Sequence, residues 1–210
     1  MNDIKRMKFN VCLLGEGKVG KTCITSRKTG QPFDENTLMT VGMENFLDAA
    51  KFDGVEYKFK IFDTAGQERY RSISTSTIQL SEGFLLVFAV NDKKSFEHVE
   101  DWIKFIEDAT EIEKKVLILV GNKIDIEKRE VSNEEAMNFA QEKNMKYFET
   151  SAKTGFGIEE TFKTLYQDVY DNFKKSEEEN KKTNGDKTEE NKNFELNNKH
   201  QNKEKKKKCC

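Results

Sequence analysis

Two hundred and ten residues, 35% of them hydrophobic and 35% charged, suit one globular domain with a polar extension, and a formal net charge of −2 gives no general reason to expect nucleic acid. The four cysteines, Cys12 and Cys23 in apolar segments and Cys209 and Cys210 at the end, have neither disulfide-framework nor zinc-site spacing, so a reducing, cytosolic setting is expected. Residues 1–6 lack a signal peptide's apolar run and the longest apolar stretch, 84–90, is too short to cross a bilayer, so membrane contact is expected to be peripheral.

The first predicted strand covers residues 9–14 and leads directly into Gly15-Glu16-Gly17-Lys18-Val19-Gly20-Lys21-Thr22, which matches G-x-x-x-x-G-K-[ST] and precedes a predicted helix over 21–28. Glycines let such a loop turn tightly, so that successive backbone N–H groups face one anion while the helix N-terminus adds its dipole. Lys21 then supplies a cation and Thr22 a Mg²⁺ ligand. The expected phosphate-binding set is Gly15, Gly17, Lys18, Val19, Gly20, Lys21, Thr22 and Cys23. A Gly-rich turn with a solvated lysine is the bland alternative, and the strand-loop-helix setting argues against it.

Residues 46–52 and 57–62 flank Asp53-Gly54, which reads as a hairpin and hence one antiparallel edge strand. The second of these strands runs into Asp63-Thr64-Ala65-Gly66-Gln67-Glu68, placing a carboxylate at a strand's C-terminal end, where ligands bind in open α/β sheets. Asp63 can hold Mg²⁺ through water, the Gly66 N–H can approach a γ-phosphate, and Gln67 can orient an attacking water.

The next strand covers 84–90. Phe96, Val99, Trp102, Ile103 and Ile106 then recur at helical spacing, followed by a strand over 116–120. Gly121-Asn122-Lys123-Ile124-Asp125 follows that strand. A helix opens at Ser132, whose hydroxyl can cap while Glu135 reaches back, with Ala136, Phe139 and Ala140 as its buried stripe. The strand over 145–148 leads to Thr150-Ser151-Ala152-Lys153, and a last helix carries Ile158, Phe162, Leu165, Val169 and Phe173. The alternation predicts an α/β fold with a mainly parallel sheet.

Both late loops fall at the sheet edge that bears the phosphate loop, so they can meet one ligand. A carboxylate accepts two hydrogen bonds from guanine N1–H and its exocyclic amine, a donor pair that adenine lacks, so a buried Asp125 selects GTP. Asn122 can tether the two loops, Lys123 can lie along base and ribose, and the Ala152 N–H can bond guanine O6, with Ser151 and Lys153 beside it.

Taken in order, G-x-x-x-x-G-K-T, a lone threonine at 40, D-T-A-G-Q-E, N-K-x-D and S-A-K resemble the Ras superfamily over roughly residues 7–173, and the string from Asp63 to Tyr70 with the Cys209-Cys210 ending most resembles Rab proteins. The resemblance implies a three-layer P-loop NTPase (Ras-like) fold, a six-stranded sheet with one antiparallel edge strand and helices on both faces, over residues 7–174. It implies GTP/GDP and Mg²⁺ as cofactors, Thr40 as a Mg²⁺ ligand sensing the γ-phosphate, Phe33 against the guanine face, and Gln67 with Lys21 as catalytic residues. Implied partners are effectors, a nucleotide exchange factor, a GTPase-activating protein, prenylation machinery and a GDP-dissociation inhibitor, with no nucleic acid. The sequence departs from the Rab pattern at Lys18, where a small residue is usual, at Phe62, where Trp is usual, and at residues 74–78, which lack paired tyrosines.

From Lys175 on, Phe194 and Leu196 are the only large apolar side chains before the final cysteines, which predicts a disordered tail over 175–210. Six Lys and one Glu in residues 199–210 give +5 there, a polybasic end. The resemblance implies lipids on Cys209 and Cys210 and residence on the cytoplasmic face of an intracellular or plasma membrane. A Ras- or Rho-like signalling GTPase generally ends in C-a-a-X, whereas Lys207 stands fourth from this end. The remaining alternatives are a nucleotide-locked scaffold, which Lys18 alone supports, and a P-loop ATPase or nucleotide kinase, which N-K-x-D argues against.

Overall fold

The computed structural model describes residues 8–34, 43–64 and 75–179. The chain divides into two units, Met1–Tyr170 and Asp171–Cys210. The first holds strands β1 (Lys8–Leu14), β2 (Met43–Phe52), β3 (Val55–Thr64), β4 (Gly83–Ala89), β5 (Val116–Asn122) and β6 (Lys146–Thr150). Its helices are α1 (Lys21–Lys28), α2 (Thr75–Leu80), α3 (Lys93–Glu97), α4 (Val99–Ala109), α5 (Asn133–Glu142) and α6, residues 158–170, with a 3₁₀ turn at Ile112–Lys114. In the second unit residues 171–179 are helical.

The six strands lie in the order β2-β3-β1-β4-β5-β6, antiparallel between β2 and β3 and parallel elsewhere, as expected. Every residue of β4 is buried, which is why 84–90 reads as one unbroken apolar run: a central parallel strand is covered on both faces. Successive side chains point to opposite faces of the sheet. Cys12, Leu14, Phe84, Leu86 and Phe88 meet Ile78, Phe96, Val99, Ile103, Ile106 and Ala136 of α2 to α5 in one core. On the other face Phe59 stacks on Tyr166 with ring centroids 3.8 Å apart, and a Cβ added at Gly83 would stand 2.8 Å from Val169. Helices therefore cover both faces.

The hairpin turn places Asp53 at φ 50° and Gly54 at φ 79°, the positive pair that a two-residue turn matched to strand twist requires. Several local expectations change: residues 175–179, expected in a disordered tail, are helical, and the strand expected over 145–148 runs to Thr150. Strands β3 and β5 run on through Asp63-Thr64 and Gly121-Asn122, because the parallel ladder pairs Asp63 with Leu13 and Asn122 with Ala89. The periodicity of Phe96 to Ile106 spans two helices rather than one, broken at His98. Ser132 Oγ does accept from the Glu135 N–H, at 3.1 Å, but the Glu135 carboxylate turns to Lys93 Nζ instead of back to the cap, an ion pair outcompeting a backbone donor.

Candidate nucleotide-binding site

The phosphate loop begins where β1 ends, and its glycines are dictated by contact. A Cβ at Gly15 would come within 2.0 Å of the Val87 carbonyl oxygen, and one at Gly20 within 2.4 Å of Asn122 Nδ2. Gly20 has φ 98° and starts α1 with no side-chain cap, and the first turn carries no acidic residue. With neither a capping side chain nor an acidic first turn, the dipole at this helix start favours an anion.

Lys21 is buried, and its Nζ donates to the carbonyls of Gly15 (2.8 Å) and Glu16 (2.9 Å). Desolvation pushes its pKa down to about 8 against the opposing pull of Asp63 and Glu16. An ammonium held in so dry a place gains by meeting phosphate. Thr22 Oγ1 donates to Asp63 Oδ2 at 2.6 Å, joining the helix start to the end of β3. A hydroxyl and a carboxylate this close form a hard oxygen set of the kind Mg²⁺ takes, together with phosphate and water. Thr64 Oγ1, donating to the Leu13 carbonyl at 2.7 Å, fixes the strand end behind them.

Asn122 joins the loops as its position suggests. Its Nδ2 donates to the Val19 carbonyl (2.8 Å), while its Oδ1 accepts from Thr150 Oγ1 (3.1 Å) and the Ala152 N–H (3.3 Å). One buried amide therefore binds the phosphate loop to the loop after β6. Ser151 Oγ donates to Asp125 Oδ1 at 2.5 Å and accepts from the Thr154 N–H at 3.1 Å. Lys123, at φ 69°, turns the chain so that Asp125 comes round to Ser151. Asp125 itself is exposed rather than buried as expected, because its loop extends beyond the C-terminal end of β5. Phe33 is half-buried, Cys23 half-buried on α1, and Lys153 exposed.

Lys18 is exposed and adopts φ 65°, a left-handed conformation costly for a residue with a Cβ. Other contacts of the site carry no motif of their own. The Thr150 hydroxyl meets Asn122. Arg129 donates to the Val131 carbonyl at 2.6 Å and pairs with Glu149, and Tyr147 donates to Glu149 at 2.9 Å, closing the base loop onto β6. His98 reaches Glu16, a pair that no local spacing signals. Thr40, Gly66, Gln67, Cys209 and Cys210 lie outside the described residues.

The Ras family model matches residues 10–171. Among similar proteins, Ras-related protein Rab-13 of Canis lupus familiaris is 36% identical over 162 residues, 77% of this chain and 79% of its own length. Ras-related protein Rab-8 of Diplobatis ommata is 36% identical over 175 residues, 82% of each chain. Ras-related protein Rab-8A of Bos taurus is 37% identical over 164 residues, 77% of this chain and 78% of its own.

Proposed function

The chain belongs to the Ras family and is a Rab-like small GTPase, and from that premise we propose how its residues divide the work of a membrane-attached trafficking switch. The observation that carries the reading is Asn122, whose single side chain holds the phosphate loop and the loop after β6 together, so that one guanine nucleotide can span both.

Asp125 reads the N1–H and exocyclic amine of guanine, and the Ala152 N–H reads O6, with Phe33, Lys123, Ser151 and Lys153 around base and ribose. Gly15, Gly17, Lys18, Val19, Gly20 and Cys23 offer backbone N–H groups to the phosphates, and Lys21 supplies the charge. Thr22, with Asp63 behind it and Thr40 from the chain before β2, would hold Mg²⁺, which when bound would offset the negative charge of the phosphates. Gln67 orients the water that attacks the γ-phosphorus as the bond to GDP breaks, giving GDP and inorganic phosphate. Thr40 and Gly66 meet the γ-phosphate only in the GTP state, and effectors read the difference. A nucleotide exchange factor and a GTPase-activating protein set the two rates. Prenylation machinery and a GDP-dissociation inhibitor serve Cys209 and Cys210, which place the protein on a cytoplasmic membrane face.

Single-turnover phosphate release, with a GTPase-activating protein at saturation, tests the catalytic assignment. Gln67→Leu is expected to slow release by orders of magnitude, and equal rates for the two proteins would remove Gln67 from the chemistry.

A further inference from the structure

Glu16, the second residue of the phosphate loop, is fixed at two ends. Its carbonyl is one of the two acceptors that hold Lys21 Nζ. Its carboxylate Oε1 stands 3.2 Å from Nδ1 of His98, the residue at which the helical run breaks between α3 and α4. The break has a fixed backbone: the His98 N–H donates to the Lys94 carbonyl at 3.0 Å, and its carbonyl accepts from the Asp101 N–H at 3.1 Å. The imidazole is partly exposed, at 43%, while the carboxylate is mostly covered, at 20%. The contact is possible because the start of the loop lies directly on β4, where Gly15 packs against the Val87 carbonyl.

The charges around this imidazole are few. Strand β4 and helix α2, which pack on these helices, contain no acidic or basic side chain. From α5, Glu135 engages Lys93, and Lys143 just beyond it engages Glu100. Lys94 and Asp101 stand one turn away on the two helices of His98 itself. Glu16 is the acidic group at ion-pair distance from His98 among the described residues.

We propose that His98 is a positioning residue for the nucleotide: paired with Glu16, its side chain holds the phosphate loop in its binding conformation and slows nucleotide release. The inference rests on the nucleotide-binding reading above. For a partly exposed pair the expected change in rate is about threefold.

The test is the dissociation rate of a fluorescent GDP from the full, Mg²⁺-loaded chain, chased with excess GDP, with thermal melts to check folding. His98→Ala should release GDP about threefold faster than wild type, and His98→Lys, which keeps a donor opposite the Glu16 carboxylate, should restore slow release. A His98→Ala rate equal to that of wild type, or a His98→Lys protein as fast as His98→Ala, would overturn the proposal. Failure of wild type to retain GDP would instead bring down the nucleotide reading, and the proposal with it.

Discussion

At Lys18 the phosphate loop carries a cost that its glycines avoid. A side chain with a Cβ in the left-handed region loses on the order of 1–2 kcal/mol, and part of that returns as glycine's greater freedom in the unfolded chain. Lys18→Gly is therefore expected to raise stability by about 0.5–1 kcal/mol in chemical denaturation. A loss of stability instead would mean that the lysine makes a contact worth more than the strain. Residues of the motifs were readable from order and type alone: Lys21, Thr22, Asp63, Asn122 and Ser151 all stand within one constellation. The Glu16–His98 and Arg129–Glu149 pairs were not readable, because each joins positions far apart in sequence through the packing of separate elements. Asp125 shows the opposite failure: its chemistry was legible and its exposure was not, since burial depends on what neighbours the loop.

Among the elements, the hairpin, the central strands and the buried faces of α5 and α6 follow from periodicity, because each has a face or a turn that only one register satisfies. The broken helix at His98 does not follow, since Phe96, Val99 and Trp102 keep helical spacing across it. The ends of β5 and β6 are where elements become a site. Asn122 closes one and Thr150 the other, and their mutual hydrogen bond with the reach to Val19 ties three segments. Asn122→Ala would leave the Thr150 hydroxyl, the Ala152 N–H and the Val19 carbonyl without this partner. The expected loss of stability is about 3 kcal/mol, with nucleotide affinity falling further because the two loops are no longer joined. Denaturation midpoints measured with and without GDP would separate these effects, and an unchanged apo midpoint would contradict the tether.

Over the whole molecule, the proposed function divides between the nucleotide site and the C-terminal residues. Among the described residues no helix is long and apolar enough to cross a membrane; the proposed anchor is the adjacent pair of thiols at 209 and 210. Each buried methylene contributes about 0.8 kcal/mol and stable anchoring takes two signals, so two lipid chains hold where one is marginal. On that proposal Lys205 to Lys208 would add roughly 1 kcal/mol each at an anionic leaflet, in a salt-sensitive way. Replacing both cysteines with Ser is expected to move the protein from membrane to cytosol in cell fractionation while leaving GDP affinity unchanged. Membrane residence of that double variant would contradict the lipid anchor.

Guanine recognition through Asp125 is the proposal on which the rest depends, and competition against bound labelled GDP measures it. For wild type, unlabelled GTP should displace the label at stoichiometric levels, while ATP should fail at any practical concentration. Asp125→Asn should weaken displacement by GTP and make xanthosine triphosphate, which presents an acceptor where guanine presents its amine, the better competitor. Displacement by ATP as effective as by GTP, or an Asp125→Asn protein with unaltered base preference, would remove Asp125 as the reader of the base.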